Sequence, residues 1–418
     1  MRAKYFLNKL TKATISLVLV TGSCGLTCCN SDMDGGNIPY AKPINLELTE
    51  KIDTDNSFAF DLFRTTCQST EENVFISPLS VSIALSMAMN GAAGETLNEM
   101  NETLRAGNYS MDAINTYNKS LREALLKVDP TTNIAIANAI WYHHKLTVKK
   151  DFISVNKDYY NAEVTALDFN SPSAVKQINT WVSDKTNKKI PAIIQQIDPL
   201  NVMLLVNAIY FKGIWKNKFK KSDTNDEYFY PENNLTGYKV KMMKQSGNAF
   251  AYSEDHNCKY LKMYYGNMAY SMIIMLPRDN RKVDDVIAYM NTEMWNSAIS
   301  QMGSYNVNLS LPRFKAECSY QMEKAILPAM GMQIPFSDHA DFSGITDSPF
   351  KISEVMHKTL VDVYEEGTEA AATVKGKGYL SASPPLIIDY VVNKPFAFAI
   401  CENSTGIILF MGKMSDIF

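Results

Sequence analysis

Thiols and imidazoles are scarce in this 418-residue chain, which has seven cysteines and five histidines. Cys24, Cys28 and Cys29 crowd the N-terminus, while Cys67, Cys258, Cys318 and Cys401 stand far apart with no C-x-x-C pair among them. A chain this long does not need disulfide staples, so those four are expected as small core residues. G-x-S-x-G, G-x-x-x-x-G-K-[ST], H-E-x-x-H and G-x-G-x-x-G are all missing, which removes the common hydrolase, phosphate-loop, zinc-protease and dinucleotide signatures. His143 and His144 are adjacent, and on a strand neighbours point to opposite faces, so they are not expected to share an ion. Neither a metal site nor a cofactor is expected. Ser77, Ser80 and His357 invite a triad reading, but both serines open an apolar helix that a substrate could hardly reach, so catalysis is not expected. The formal charge of −3 leaves no basic excess for a nucleic-acid footprint. Lys119, Arg122 and Lys127 on a predicted helix read as a solvated face rather than a polyanion site. Beyond the N-terminus no apolar run reaches eighteen residues, so no membrane-spanning helix is expected there.

What is present suffices for a large core, with 46% hydrophobic and 20% charged residues. Arg2, Lys4, Lys9 and Lys12 precede the apolar run 13–20 and the small residues Thr21, Gly22 and Ser23, the pattern of an export signal. Cys24 follows directly and resembles the lipidated cysteine of a bacterial lipobox, with Cys28 and Cys29 as alternatives. Residues 1–23 are therefore read as a lipoprotein-type signal, 24–48 as a tether and 49–418 as the folded domain. Within it, a first helix is expected around Phe58 to Phe63, a short strand at 73–78 and a buried helix at 79–90, followed by a short helix at 95–104. The runs 132–142 and 202–211 read as strands covered on both faces, with a helix at 173–187 between them. Strands at 269–276, 307–311, 395–401 and 407–411 and a helix at 283–299 complete an α+β pattern with more than one sheet.

Residues 365–385 read EEGTEAAATVKGKGYLSASPP. Gly367, Gly376, Gly378 and the Pro384-Pro385 pair leave little room for a helix. At period two, one face carries Thr368, Ala370, Ala372, Val374, Gly376, Gly378 and Leu380, without charge. Glu369, Ala371, Thr373, Lys375, Lys377 and Tyr379 form the other face. The loop thus has the pattern of a strand ready to be buried on one side.

The E-E-G-T-E-A-A-A core of this segment resembles the reactive-loop hinge of inhibitory serpins. NVFISPLSVSIALSMAMNGAAGET (73–96), LVNAIYFKGIWKNKF (205–219), LPRFKAE, VMHKTLVDVYEEGTEAAA, NKPFAFAI and LFMGKM match further landmarks of that family in order, across roughly residues 50 to 414. The resemblance implies three β-sheets and eight or nine helices, with an exposed loop above the main sheet. A target protease would attack the loop, form an acyl-enzyme through its own serine, and be carried to the far pole as the freed loop enters the sheet. About fifteen inserted residues span about 50 Å. Ladder bonds on both edges, at roughly 0.5–1.5 kcal/mol each, release on the order of 10 kcal/mol. Losing an oxyanion-hole donor slows deacylation by roughly a hundredfold or more.

Carried over residue by residue, Glu365 and Glu366 lead into a hinge from Gly367 through Thr368, Glu369, Ala370, Ala371, Ala372 and Thr373 to Val374. Ser77, Ser80, Asn207 and His357 match the family's shutter beneath the sheet centre. Trp215 matches the opening region at its top, where Arg313 and Glu365 match an ion pair. Counting from Glu365 places the cleaved bond after Ser381, and counting back from Asn393 places it about three residues later. Tyr379-Leu380, Leu380-Ser381 and Ser381-Ala382 therefore stand as candidates. These imply chymotrypsin-like or elastase-like serine proteases as partners, with subtilisin-like or cysteine proteases as further targets and Lys377 serving a trypsin-like enzyme at a shorter register. The implied molecule is an exported, lipid-anchored monomer, extracellular or periplasmic. A non-inhibitory serpin, a carrier or mere substrate, is the alternative. The terminal MSDIF lacks the family's usual trailing proline.

Overall fold

Central strands rich in branched and aromatic residues, capped by polar turns, set the architecture. The computed structural model describes residues 39–234, 236–278, 280–366 and 387–417. The chain first forms α1 (Lys51–Gln68), β1 (Val74–Ile76), α2 (Pro78–Met89), α3 (Gly94–Thr103) and α4 (Met111–Leu125). Then come β2 (Asn133–His143), α5 (Lys150–Tyr160), β3 (Glu163–Leu167), α6 (Ser173–Lys185) and β4 (Met203–Lys212). The middle contributes β5 (Asn225–Phe229), β6 (Tyr238–Glu254), β7 (Cys258–Tyr264), β8 (Tyr270–Pro277), α7 (Val283–Tyr289) and α8 (Thr292–Ser300). The last part is β9 (Gly303–Pro312), β10 (Phe314–Gln321), α9 (Ile326–Ala329), β11 (Glu354–Val363), β12 (Ile387–Val391), β13 (Phe396–Glu402) and β14 (Ile408–Met414).

These strands join into two sheets among the described residues: five strands in the order β10-β11-β4-β2-β3, and nine in the order β1-β14-β13-β8-β7-β6-β9-β12, with β5 beside β6. The α+β class and the helix number agree with the sequence reading, since nine α-helices are described. A separate third sheet does not emerge among the described residues. Strand β6 keeps β9 as its antiparallel partner on both sides of a register shift between Gln245 and Asn248, so what was expected as two sheets remains one bent hydrogen-bonded network. The single helix expected at 283–299 is two helices. Met290 is extended, and the Asn291 side chain accepts from Met294 N–H at 2.9 Å, starting a new helix as an N-cap.

The five-stranded sheet is covered on both faces, as the near-continuous apolar runs imply. Leu205, Ile209 and Phe211 of β4 join the main core, whereas Leu204, Val206, Ala208 and Tyr210 pack in a second cluster with Ile178 and Val182 of α6. Helix α2 is buried at every position. Pro78 opens it, and the Ser77 hydroxyl caps it by accepting from Ser80 N–H at 3.3 Å. Cys67, Cys258, Cys318 and Cys401 are free thiols, and burial pushes those of Cys67 and Cys401 up to about 12, so neither is a ready nucleophile. No helix among the described residues is long and apolar enough to cross a membrane.

Candidate functional site

The seam between β4 and β11 is where the topology and the unusual chemistry meet. These strands pair in parallel from Glu354 opposite Leu204 to Leu360 opposite Tyr210, with their C-terminal ends at one pole. Beyond β11 the chain reaches Tyr364, Glu365 and Glu366, and it resumes in the other sheet as β12. The hinge residues from Gly367 to Val374 and the candidate cleavage residues Tyr379, Leu380, Ser381 and Ala382 lie outside the described residues.

Polar contacts fasten the chain at this pole. Trp215 Nε1–H donates to the Tyr364 carbonyl at 3.0 Å, and Phe219 N–H donates to the Glu365 carbonyl at 3.1 Å. The indole stacks on Tyr265 with centroids 4.2 Å apart and planes 13° apart. Gly213 permits that approach, since a Cβ there would lie 2.5 Å from the Tyr265 ring. Arg313 directs Nε at 2.8 Å and Nη2 at 2.5 Å to Oε1 of Glu365, which also accepts the Thr224 hydroxyl. Burial works to raise the Glu365 pKa, but the hydrogen bonds from Arg313 and Thr224 win and hold the carboxyl below its ordinary range. Lys221 pairs with Glu366. The structure thus unites Trp215, Arg313 and Glu365, and adds Thr224, Phe219 and Tyr265, which carry no local sequence signal because they act from distant turns.

Midway down the seam lies a buried polar line. His357 and Asn207 face each other in the β11–β4 register, and Asn207 faces Asn138 of β2. His357 Nε2 accepts from Ser77 N–H at 3.0 Å, so Nδ1 carries the proton and donates to Asn207 Oδ1 at 2.7 Å. Asn207 Nδ2 then donates to Ser80 Oγ at 2.5 Å and to Asn138 Oδ1 at 2.7 Å, while Ser77 Oγ donates to the Leu409 carbonyl at 2.6 Å. All four residues expected here come together. Asn138 was missed, although its signal is legible: A-N-A-I-W-Y in β2 echoes V-N-A-I-Y-F in β4, each with one asparagine in an apolar run. Parting β4 from β11 breaks the His357–Asn207 bond at the centre of this network.

Full burial pulls the His357 pKa down from 6.5 to about 3, so the ring is neutral in the closed sheet. Where the sheet is opened or unfolded the ring regains an ordinary value and binds a proton below about pH 6.5. The closed state therefore loses stability as pH falls from about 6.5 toward 3, by about 2 kcal/mol at pH 5. The Glu365 anchor behaves differently: its depressed pKa keeps its contribution intact until pH drops below the ordinary carboxylate range. Denaturant unfolding at pH 7.5 and pH 5 is expected to show that 2 kcal/mol loss in the native chain and little of it in His357→Gln. Equal losses in both proteins would remove the ring from the account.

The expectation that His143 and His144 point to opposite faces is overturned. Strand β2 ends at His143, so His144 sits in the following turn and the alternation of a strand no longer separates them. Their rings stack with centroids 4.6 Å apart, and His144 Nδ1 lies 3.7 Å from Asp168 Oδ1.

A protein-family model described as serpin (serine protease inhibitor) matches residues 53–417. Leukocyte elastase inhibitor A of Rattus norvegicus is 34% identical over 381 residues, covering 87% of this chain and 99% of that protein. Among solved structures, the thermophilic serpin tengpin in its native state aligns with a TM-score of 0.80 at 32% identity, over 90% of this chain and 97% of tengpin. Thyroxine-binding globulin in complex with thyroxine aligns with a TM-score of 0.78 at 31% identity, over 88% and 99% of the respective chains.

Proposed function

The chain belongs to the serpin family, and on that premise we propose that it inhibits serine endopeptidases as a suicide substrate. The reading rests chiefly on the seam: β4 and β11 are direct parallel partners, and the segment that would separate them starts at the end of β11. The protease serine attacks a carbonyl between Tyr379 and Ser381, and the amine of the next residue departs with its new proton. The acyl-enzyme ester then holds the protease on the N-terminal part of the loop. That part enters between β4 and β11 as an antiparallel strand, reaching the opposite pole with the enzyme attached. Its uncharged face, Thr368, Ala370, Ala372 and Val374, suits the apolar core beneath the sheet. Its charged face suits the α6 side, where Lys358 and Glu317 already pair at 3.1 Å. Leucine, tyrosine and serine near the candidate bonds suit chymotrypsin-like and elastase-like enzymes, and the leukocyte elastase inhibitor among the relatives accords with that choice.

The same reading places the domain outside the cytoplasm, held to a membrane by lipid on Cys24, or alternatively on Cys28 or Cys29. It assigns catalysis to the target rather than to this chain.

Mixing the protein with elastase, chymotrypsin, trypsin and subtilisin and resolving the products on denaturing gels tests the proposal. A covalent band at the summed mass, with loss of protease activity, is the expected outcome. Two clean fragments and full protease activity would instead mark a non-inhibitory carrier or substrate, the class to which the likeness to thyroxine-binding globulin draws attention.

A further inference from the structure

The pole opposite the hinge carries a second cluster with its own chemistry. His143 is the last residue of β2, His144 opens the turn after it, and Asp168 follows the last residue of β3. The β2–β3 register places His143 opposite Leu167, so parallel pairing brings these two exits together. One potential ligand atom from each of His143, His144 and Asp168 falls within 4.8 Å of the others. We propose that His143, His144 and Asp168 form a binding site for a divalent transition-metal ion of the zinc, cobalt and nickel class.

The donor set selects the ion. Two imidazoles and one carboxylate suit zinc, nickel or cobalt, whereas magnesium and calcium favour all-oxygen shells. Three protein ligands leave room for water or a partner group in the fourth position of a tetrahedral ion. Zinc–nitrogen and zinc–oxygen bonds of about 2.0–2.2 Å require donor atoms roughly 3.3 Å apart, so the three side chains must close inward by about an ångström. His144 and Asp168 are free to do so, being 43% and 51% exposed. Asp168 Oδ1 accepts both the backbone N–H of Asn170 at 3.1 Å and its side-chain amide at 3.2 Å, so the carboxylate takes an ion either through Oδ2 or by exchanging one of these bonds. His143 is braced edge-on against Phe169, with ring centroids 5.6 Å apart. Its Nδ1 now accepts from Lys145 N–H at 3.2 Å. Coordination through either ring nitrogen uses the Nδ1 lone pair or protonates it, so that long bond is exchanged for the metal bond. This exchange, together with the inward movement, points to micromolar rather than picomolar affinity.

A bound ion would tie the turn after β2 to the β3–α6 connection. It would thus fasten the edge of the sheet remote from the β4–β11 seam.

Calorimetric titration of the untagged full-length protein with zinc chloride, and absorbance titration with cobalt chloride, test the site. One ion per chain is expected, and His144→Ala and Asp168→Asn should each weaken it by roughly tenfold or more. His339→Ala should leave binding unchanged. The cobalt complex should show weak visible bands without the intense near-ultraviolet charge transfer of thiolate ligands. Equal melting temperatures of all variants without metal establish that each is folded. Undiminished binding in the His144→Ala, Asp168→Asn double variant, a thiolate signature from the N-terminal cysteines, or no binding at millimolar metal would each overturn the proposal.

Discussion

Under the proposed mechanism, Thr368→Arg is expected to turn an inhibitor into a substrate, raising the number of molecules consumed per protease inactivated by roughly a hundredfold. Trapping is a race between strand insertion and hydrolysis of the acyl-enzyme. Thr368 is the first side chain whose entry demands space beneath the sheet, and that space is apolar. Val363 and Val361 of β11 and Ile209 and Phe211 of β4 are all buried there in the main core. Forcing a guanidinium into such a site without a partner costs several kcal/mol. Even about 3 kcal/mol added to the insertion barrier slows it about a hundredfold, and hydrolysis then wins. All five described strands of the sheet lie between Asn133 and Val363, so the melting temperature of the uncleaved variant should match that of the native chain. Titration of protease activity against inhibitor concentration measures the effect. Unaltered stoichiometry would refute the assigned hinge, and a lowered melting point of the intact variant would mean that residue 368 already contributes to the fold.

Cleaving the loop is expected to raise the melting temperature by roughly 20 °C or more. The closed sheet has one ladder between β4 and β11, spanning Glu354–Leu204 to Leu360–Tyr210. An inserted strand replaces it with two ladders, one on each edge. At roughly 0.5–1.5 kcal/mol per bond, about fifteen residues gain on the order of 10 kcal/mol. The lost His357–Asn207 bond offsets only about 1–2 kcal/mol of that gain, so the ladder term decides the sign. A protease that is not trapped serves to cut the loop, and calorimetry of intact and cut chains gives the difference. A cut chain that melts no higher than the intact one would leave a carrier or plain substrate as the better reading.

Much of this could be read from residue order. The apolar runs around Asn138 and Asn207 gave both central strands to within a residue or two, because strands covered on two faces tolerate almost nothing polar. Ser77, Ser80, Asn207 and His357, each named from the sequence, form one hydrogen-bonded group. Other features depend on distant partners. Thr224 and Phe219 reach Glu365 across more than a hundred residues of sequence, and Tyr265 lies under Trp215 through a backbone bridge. The bend in β6 that merges two expected sheets is a register shift near Gly247, a local backbone choice that hydrophobic periodicity does not encode. The closeness of the His143 and His144 rings was hidden for a similar reason. Strand alternation holds only inside a strand, and β2 stops between the two histidines.

Hydrogen exchange across the loop is the most direct test of the central claim, that the residues following Glu366 become the strand between β4 and β11. Amides of residues 368–374 are expected to gain protection by several orders of magnitude after cleavage, together with new protection along the facing edges of β4 and β11. Exchange in that segment that is the same before and after cleavage would contradict the account.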